Sequence, residues 1–223
     1  MNDRANVVAI DGPSGSGKST IARGVARALG WRVLDTGAMY RAVTLGALEA
    51  RVPLDDEGAC AGIAAEHTIA VDDGVTMIDG RDVSAEIRGP DVTAAVSTVS
   101  AHPRVREILV TRQRSWVAEN GSGVVEGRDI GTVVFPAAPV KVFLTASDEE
   151  RARRRQRDEA ASQRAVAVED VKSSLARRDA LDSGRVASPL RPADDAVEVD
   201  TTDRSIDDVV SEVMELARSA GIA

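Results

Sequence analysis

The run Gly12-Pro13-Ser14-Gly15-Ser16-Gly17-Lys18-Ser19-Thr20 follows directly on the apolar stretch Val7–Ile10. It fits G-x-x-x-x-G-K-[ST], with a strand expected before it and a helix after it, the setting in which such a loop cradles phosphate. Its glycines let main-chain N–H groups turn inward around an anion. Lys18 can then reach β- and γ-phosphates, and Ser19 can offer a hydroxyl to Mg²⁺. The residues that follow put Ile21, Val25, Ala28 and Leu29 on one helical face and stop at Gly30. The start of that helix directs positive partial charge at the anion. The chemistry implied is binding of a nucleoside triphosphate.

The remaining chemistry-bearing residues decide what such a loop serves. A GTPase needs an Asn-Lys-x-Asp motif to read guanine, and Asn2, Asn6 and Asn120 stand in no such context. A kinase acting on an alcohol needs a carboxylate to take up the hydroxyl proton. A kinase acting on a monophosphate does not, because its nucleophile is already an anionic oxygen with a second pKa of about 6. It needs cations that hold two repelling phosphates in line. The arginines suit that demand. Arg41 lies in Leu34-Asp-Thr-Gly-Ala-Met-Tyr-Arg41, just after a strand, and Arg106 closes Pro103-Arg-Val-Arg106. Arg128 and Asp129 stand at the carboxyl end of a strand, the edge where open α/β sheets bind ligands. Arg151, Arg153, Arg154, Arg155 and Arg157 crowd one expected helix. Arg178, Asp182 and Arg185 recur at i, i+4 and i+7, so all three fall on one helical face if the helix reaches that far. Gly-Arg-Asp occurs at 80–82 and at 127–129; the first is expected to be structural and the second functional. Cys60, His67 and His102 are expected to be structural.

These residues require a frame. Val7–Ile10, Trp31–Leu34, Val124–Val125, Val140–Leu144 and Val197–Val199 read as strands separated by helical patterns, the spacing of βαβ units and a parallel sheet. Val105, Ile108, Leu109, Arg112 and Trp116 share a helical face closed by Gly121. Ile206, Val209, Val210, Val213 and Ala217 share another, with Ser205 as N-cap. Ahead of both, residues 67–72, Asp73-Gly74 and Val75–Ile78 read as a hairpin, with a third strand expected around Val83. This is a small antiparallel insertion on an α/β core.

The 223 residues suffice for one large domain, with 43% hydrophobic and 29% charged residues, as in soluble globular proteins. A net charge of −8 argues against a general nucleic-acid or anionic-membrane binder. One cysteine and two histidines leave no disulfide and no Cys- or His-rich metal centre. No apolar run approaches the roughly 18 residues of a membrane span. The start of the chain, charged at Asp3 and Arg4, does not read as a signal peptide, and a cytoplasmic location is expected.

The segments IDGPSGSGKST, LDTGAMYR, VSTVSAHPRVR, EGRDIGTVVFP, LTASDEERARRR and RRDALDSGRVASPLRPADDA together resemble one family, the bacterial cytidylate kinases, in its order and over nearly the whole chain. The resemblance implies a P-loop NTPase fold: a five-stranded parallel sheet flanked by helices, a monophosphate-binding insertion with a small antiparallel sheet, and a short lid. It divides the chain into core (1–34, 108–147 and 161–223), monophosphate-binding part (35–107) and lid (148–160). It implies Mg²⁺-dependent transfer of the ATP γ-phosphoryl group to CMP or dCMP, in a monomer that binds neither nucleic acid nor membrane. Alternatives are a UMP, shikimate or gluconate kinase, or a nucleotide-binding module without an acceptor. Gly12, Pro13, Ser14, Gly15, Ser16, Gly17, Lys18, Ser19 and Thr20 match the ATP site, with Ser19 or Thr20 meeting the metal. The chain has Lys18-Ser19-Thr20 where Lys-Gly-Thr is frequent, and Thr36 where Ser is. Thr36, Tyr40, Arg41, Ser97, Arg106, Arg128, Asp129, Arg178, Asp182 and Arg185 match the CMP pocket. Of these, Arg41 and Arg128 are matched to the acceptor phosphate, Asp182 and Arg185 to the ribose. Thr36, Ser97, Arg106 and Asp129 are matched to the base. Lys18, Arg128, Asp129, Arg154 and Arg155 are the residues implied in catalysis.

Overall fold

Asn6–Asp11 forms β1, and every residue of it after Asn6 is buried. That burial is what a central strand of a parallel sheet requires, since helices cover both faces. The computed structural model describes residues 6–72, 74–161 and 168–223. Asp3 and Arg4, Asp73 of the expected turn, and 162–167 in the third core segment lie outside them. β2 (Val33–Asp35), β6 (Ser122–Gly127), β7 (Val140–Thr145) and β8 (Val197–Asp200) complete a parallel sheet of order β2-β6-β1-β7-β8. Alternation along β1 sends Val8 and Ile10 to one face, where they pack with α1 (Lys18–Leu29) and α8 (Ile206–Ser219). Val7 and Ala9 go to the other. There they meet α2 (Thr36–Glu49), α3 (Glu57–Glu66), α4 (Pro90–Ala101) and α5 (Pro103–Asn120).

The insertion is a three-stranded antiparallel sheet of β3 (Ile69–Asp72), β4 (Val75–Ile78) and β5 (Arg81–Asp82). Arg81 of the first Gly-Arg-Asp pairs there with Glu49, at 2.7 Å, on an exposed face. Helix ends follow local chemistry. Gly30 (φ 68°) and Gly121 (φ 72°) terminate α1 and α5 in the left-handed conformation, and the Ser205 hydroxyl accepts from the Asp208 N–H to cap α8. α5 is one unbroken helix through residues 107 and 108.

Two expectations need correction. β6 extends well beyond Val124–Val125, because Glu126 and Gly127 continue the ladder opposite Ile10 and Asp11. A buried carboxylate there interrupts the apolar pattern without interrupting the strand. The helix carrying Arg178 and Asp182, α7 (Val168–Ser183), ends two residues short of Arg185. The chain then returns along it, with the Leu190 N–H donating to the Asp182 carbonyl at 2.9 Å.

The phosphate loop leaves β1 at Gly12, whose φ is 147°, and a Cβ there would stand 2.2 Å from the Leu144 carbonyl oxygen of β7. Neither the dihedral nor the space admits a side chain. Gly12→Ala is expected to lower unfolding stability by about 1–3 kcal/mol, read from the urea midpoint at constant m-value. A change within about 0.5 kcal/mol would show that the loop relaxes freely.

Candidate active site

The loop between β1 and α1 is built for an anion. Gly15 (φ 80°) and Gly17 (φ 91°) adopt conformations costly for other residues. Gly17 is also the N-cap of α1 and supplies no side-chain acceptor, so no side chain of the cap occupies the first N–H groups of the helix. The buried Lys18 ammonium folds back to the Pro13 carbonyl at 2.7 Å, and the Ser19 hydroxyl donates to Glu126 at 3.0 Å. Thr20 is exposed.

Beside it, at the carboxyl ends of β2 and β6, opens a cleft. It brings together Lys18, Thr36, Tyr40, Arg106, Arg128, Asp129, Arg178, Asp182 and Arg185, all marked in the sequence. The Thr36 hydroxyl is fixed by the Glu126 carbonyl at 2.7 Å. Arg106 donates to Asp129 at 2.5 Å and to the Ser100 carbonyl at 2.9 Å, and lies 5.1 Å over the Tyr40 ring. Arg128 donates to Asp182 at 2.9 Å; Arg185, although beyond α7, reaches the same carboxylate at 3.3 Å. Asp11 completes the frame: its carboxylate accepts from the Ile130 and Gly131 N–H groups at 2.8 and 2.7 Å. They belong to the turn that follows Arg128 and Asp129.

Not every expected residue meets the cleft. Arg41 is held by the Ile87 carbonyl and Thr93 hydroxyl, at 2.8 and 3.0 Å, outside the lining. Ser97 is also outside; Ser100, one turn further along α4 and buried, takes the place at the wall. Arg154 and Arg155 lie on α6 (Asp148–Ala161), outside the lining as well. Arg154 donates to Glu150 and to both oxygens of Thr201, and its guanidinium stands 3.3 Å from where a Gly17 Cβ would be. Glu126 was missed: an acidic residue ending a buried strand at the ligand edge was a readable sign. Thr201 was missed for lack of any local sign; its hydroxyl lies 3.1 Å from the Ser16 carbonyl, 185 residues away in sequence.

The cleft holds more positive charge than its carboxylates balance comfortably. Burial, then repulsion from Arg128 and Arg41, pushes Arg178 down to about 9. Burial, then Arg155, pushes Arg41 down to about 10. Burial lowers Lys18, with Arg128 adding to it, and burial raises Glu126, with Asp35 adding to it. An anion entering this space reverses each of the penalties on the cations. Among the described residues no cluster of three His, Cys, Asp or Glu could hold a metal ion. The Ser19 hydroxyl and Glu126 carboxylate do form an oxygen pair of the sort that Mg²⁺ uses with substrate phosphates.

The cytidylate kinase family model matches residues 8–219. The chain belongs to that family. Cytidylate kinases from Nocardia farcinica and Rhodococcus opacus are 53% and 51% identical to it, covering 95% and 96% of this chain and 93% and 95% of theirs. One from Caldanaerobacter subterraneus is 48% identical, over 95% of this chain and 94% of its own. The protein is thus a nucleoside monophosphate kinase. Among solved structures, a Thermus thermophilus protein matches with a TM-score of 0.52 at 18% identity, over 99% of this chain and 100% of its own. A gluconokinase from Sinorhizobium meliloti matches at 0.51 and 16%, over 97% and 94%. Both share the fold. Among the described residues no helix is long and apolar enough to cross a membrane.

Asp182 carries the pH signature of this cationic cluster. Burial pushes its carboxyl up, but Arg128, Arg185 and Arg178 outweigh burial and hold it below the usual range. A depressed folded pKa stabilises at pH above the unfolded value, about 3.9, and that contribution disappears as pH falls through the folded one. Asp182→Asn is expected to cost about 3 kcal/mol at pH 7, with the gap to wild type narrowing as pH falls below about 4 in nucleotide-free denaturation. A gap independent of pH would remove Asp182 from the charge balance.

Proposed function

We propose that this kinase transfers the γ-phosphoryl group of ATP to CMP or dCMP by direct in-line displacement, with Mg²⁺ and without a covalent intermediate. The observation that carries this reading is the cleft where Arg128 and Arg178 face Lys18, next to main-chain N–H groups at the start of α1. Two phosphate sites of opposite construction, one of amides and one of guanidiniums, adjoin there. The family assignment fits it, since the matched relatives bear the name cytidylate kinase.

In this reading Gly12–Thr20 hold the donor phosphates and Lys18 leaves the Pro13 carbonyl for them. Arg128 and Arg178 bind the acceptor phosphate, whose oxygen attacks as an anion, so no general base is needed. Arg41 joins them by releasing Ile87 and Thr93. Asp182 and Arg185 bound the ribose. Thr36, Arg106 and Asp129 border the base, with Ser97 one turn behind Ser100; a carboxylate such as Asp129 accepts from an exocyclic amino group. Arg154 and Arg155, on the lid (148–160), neutralise the transferring group, where a single arginine is worth about 10³–10⁵ in rate. Residues 35–107 form the monophosphate-binding part and the remainder the core. Mg²⁺, when bound, would offset the negative charge of the donor phosphates. The Ser19 hydroxyl is the candidate to hold it, being directed at Glu126, whereas Thr20 faces outward. The protein is read as a cytoplasmic monomer whose partners are small-molecule nucleotides, with neither nucleic acid nor membrane among them.

Lys18→Ala is expected to abolish turnover in a coupled assay with ATP and CMP while circular dichroism and melting stay near wild type; near-normal turnover refutes the donor assignment. Arg41→Ala is expected to raise the CMP KM by tenfold or more and the ATP KM far less, a split that isolates acceptor binding. Equal rises in both would place Arg41 outside the acceptor site.

A further inference from the structure

We infer that Arg151 and Asp179, neither of which lines the cleft, are a positioning pair that couples the donor loop to the acceptor site. The inference rests on the kinase reading above and adds a route by which one substrate senses the other.

The contact is built at Ser14, in the middle of the phosphate loop. Both of its main-chain groups are taken. The Ser14 N–H donates to Asp179 Oδ1 at 3.3 Å, and the Ser14 carbonyl accepts from Arg151 Nη1 at 3.1 Å. The same Arg151 nitrogen donates to Asp179 Oδ2, and Nη2 donates to Asp148 at 2.6 Å, the bond that fixes the guanidinium on α6. The side chains are 8% and 18% exposed, so this is a desolvated pair, unlike a surface bridge of little worth. α6 lies against the loop at this point: a Cβ on Gly15 would stand 3.0 Å from the Arg151 carbonyl and 3.1 Å from its Cβ. Such a fit leaves the loop little room to move independently of Arg151.

Asp179 sits between two residues of the acceptor cleft. Arg178 precedes it and Asp182 follows one turn later, both lining the cleft. Successive helical residues point about 100° apart, so α7 turns one residue to the donor loop and its neighbours to the acceptor. An acceptor phosphate that pulls Arg178 therefore loads the Asp179 contact and, through it, Ser14. The reverse path is the same. Coupling of this kind is reciprocal, changing the affinity for each nucleotide by one common factor. A pair that served only as a structural staple would raise stability and leave that factor alone.

The test is the dissociation constant of a non-hydrolysable ATP analogue with Mg²⁺, measured by calorimetry with and without saturating CMP. Wild type, Arg151→Met, Asp179→Asn and the double variant are compared, together with CMP turnover. The ratio of the two constants is expected to differ from one in wild type and to move toward one by about 2- to 30-fold in each single variant, the range of measured network effects. The double variant is expected to match the stronger single, because both substitutions break one contact. A wild-type ratio in either folded variant, additive effects, or a ratio of one in wild type that turns CMP over would overturn the pair. So would failure of both single variants to fold, which makes the contact a staple. Absence of CMP turnover in wild type would overturn the kinase reading, and the coupling with it.

Discussion

Everything in this site follows from confining several cations in a space sheltered from water. Lys18 and Arg178 in the cleft, and Arg41 outside its lining, are each held below their usual pKa, first by burial and then by neighbouring guanidiniums. Such a cluster persists only if buried carboxylates offset it, and Asp182, Asp129 and Glu126 do so from the walls. The chain as a whole carries −8, so the positive cleft is a local inversion of the molecule's charge. That inversion concentrates positive charge at one edge of the sheet.

The sheet makes the arrangement possible. Its parallel strands end together, so the loop after β1, the turn after β6 and the start of α2 after β2 converge at one edge. Asp11 fastens two of them, placing a carboxylate against the Ile130 and Gly131 N–H groups; burial pushes its pKa up to about 6 in spite of these bonds. Arg128 and Asp129, on the same turn, are then oriented from below by main-chain pairing as well as by their own partners.

The helices and the outer strand act on the other side of the loop. Arg151 and Asp179 grip Ser14, and Arg154 reaches Thr201, whose hydroxyl meets the Ser16 carbonyl. Carbonyl groups on the back of the loop are thereby occupied by cations and hydroxyls. The Ser14 N–H is held by Asp179 on that same side, so the back of the loop is fixed through main-chain groups of both kinds. A loop of glycines thus obtains from distant elements the rigidity that its own residues lack.

Short-range physics was legible from the residues alone. The phosphate loop could be read because its donors are contiguous main-chain groups that need only glycine and a helix start. The caps at Gly30, Gly121 and Ser205, the hairpin, and the placement of Arg128 and Asp129 at a strand end were readable for the same reason. Partner choice was not. Helical spacing cannot say that α7 stops at Ser183 and that Arg185 rejoins Asp182 from the returning chain, since that return is set by packing beyond the helix. It cannot separate Ser97 from Ser100, one turn apart on α4, because the packing of α4 against α2, α5 and α7 selects which faces the cleft. Ser19 and Glu126, 107 residues apart, and Ser14 and Asp179, 165 apart, meet only once the sheet and its helices close. Residue types fixed in advance which groups could bind phosphate; the tertiary fold alone decided which of them share a cavity, because a side chain a few ångströms long finds its distant partner only after the backbone has brought the two together.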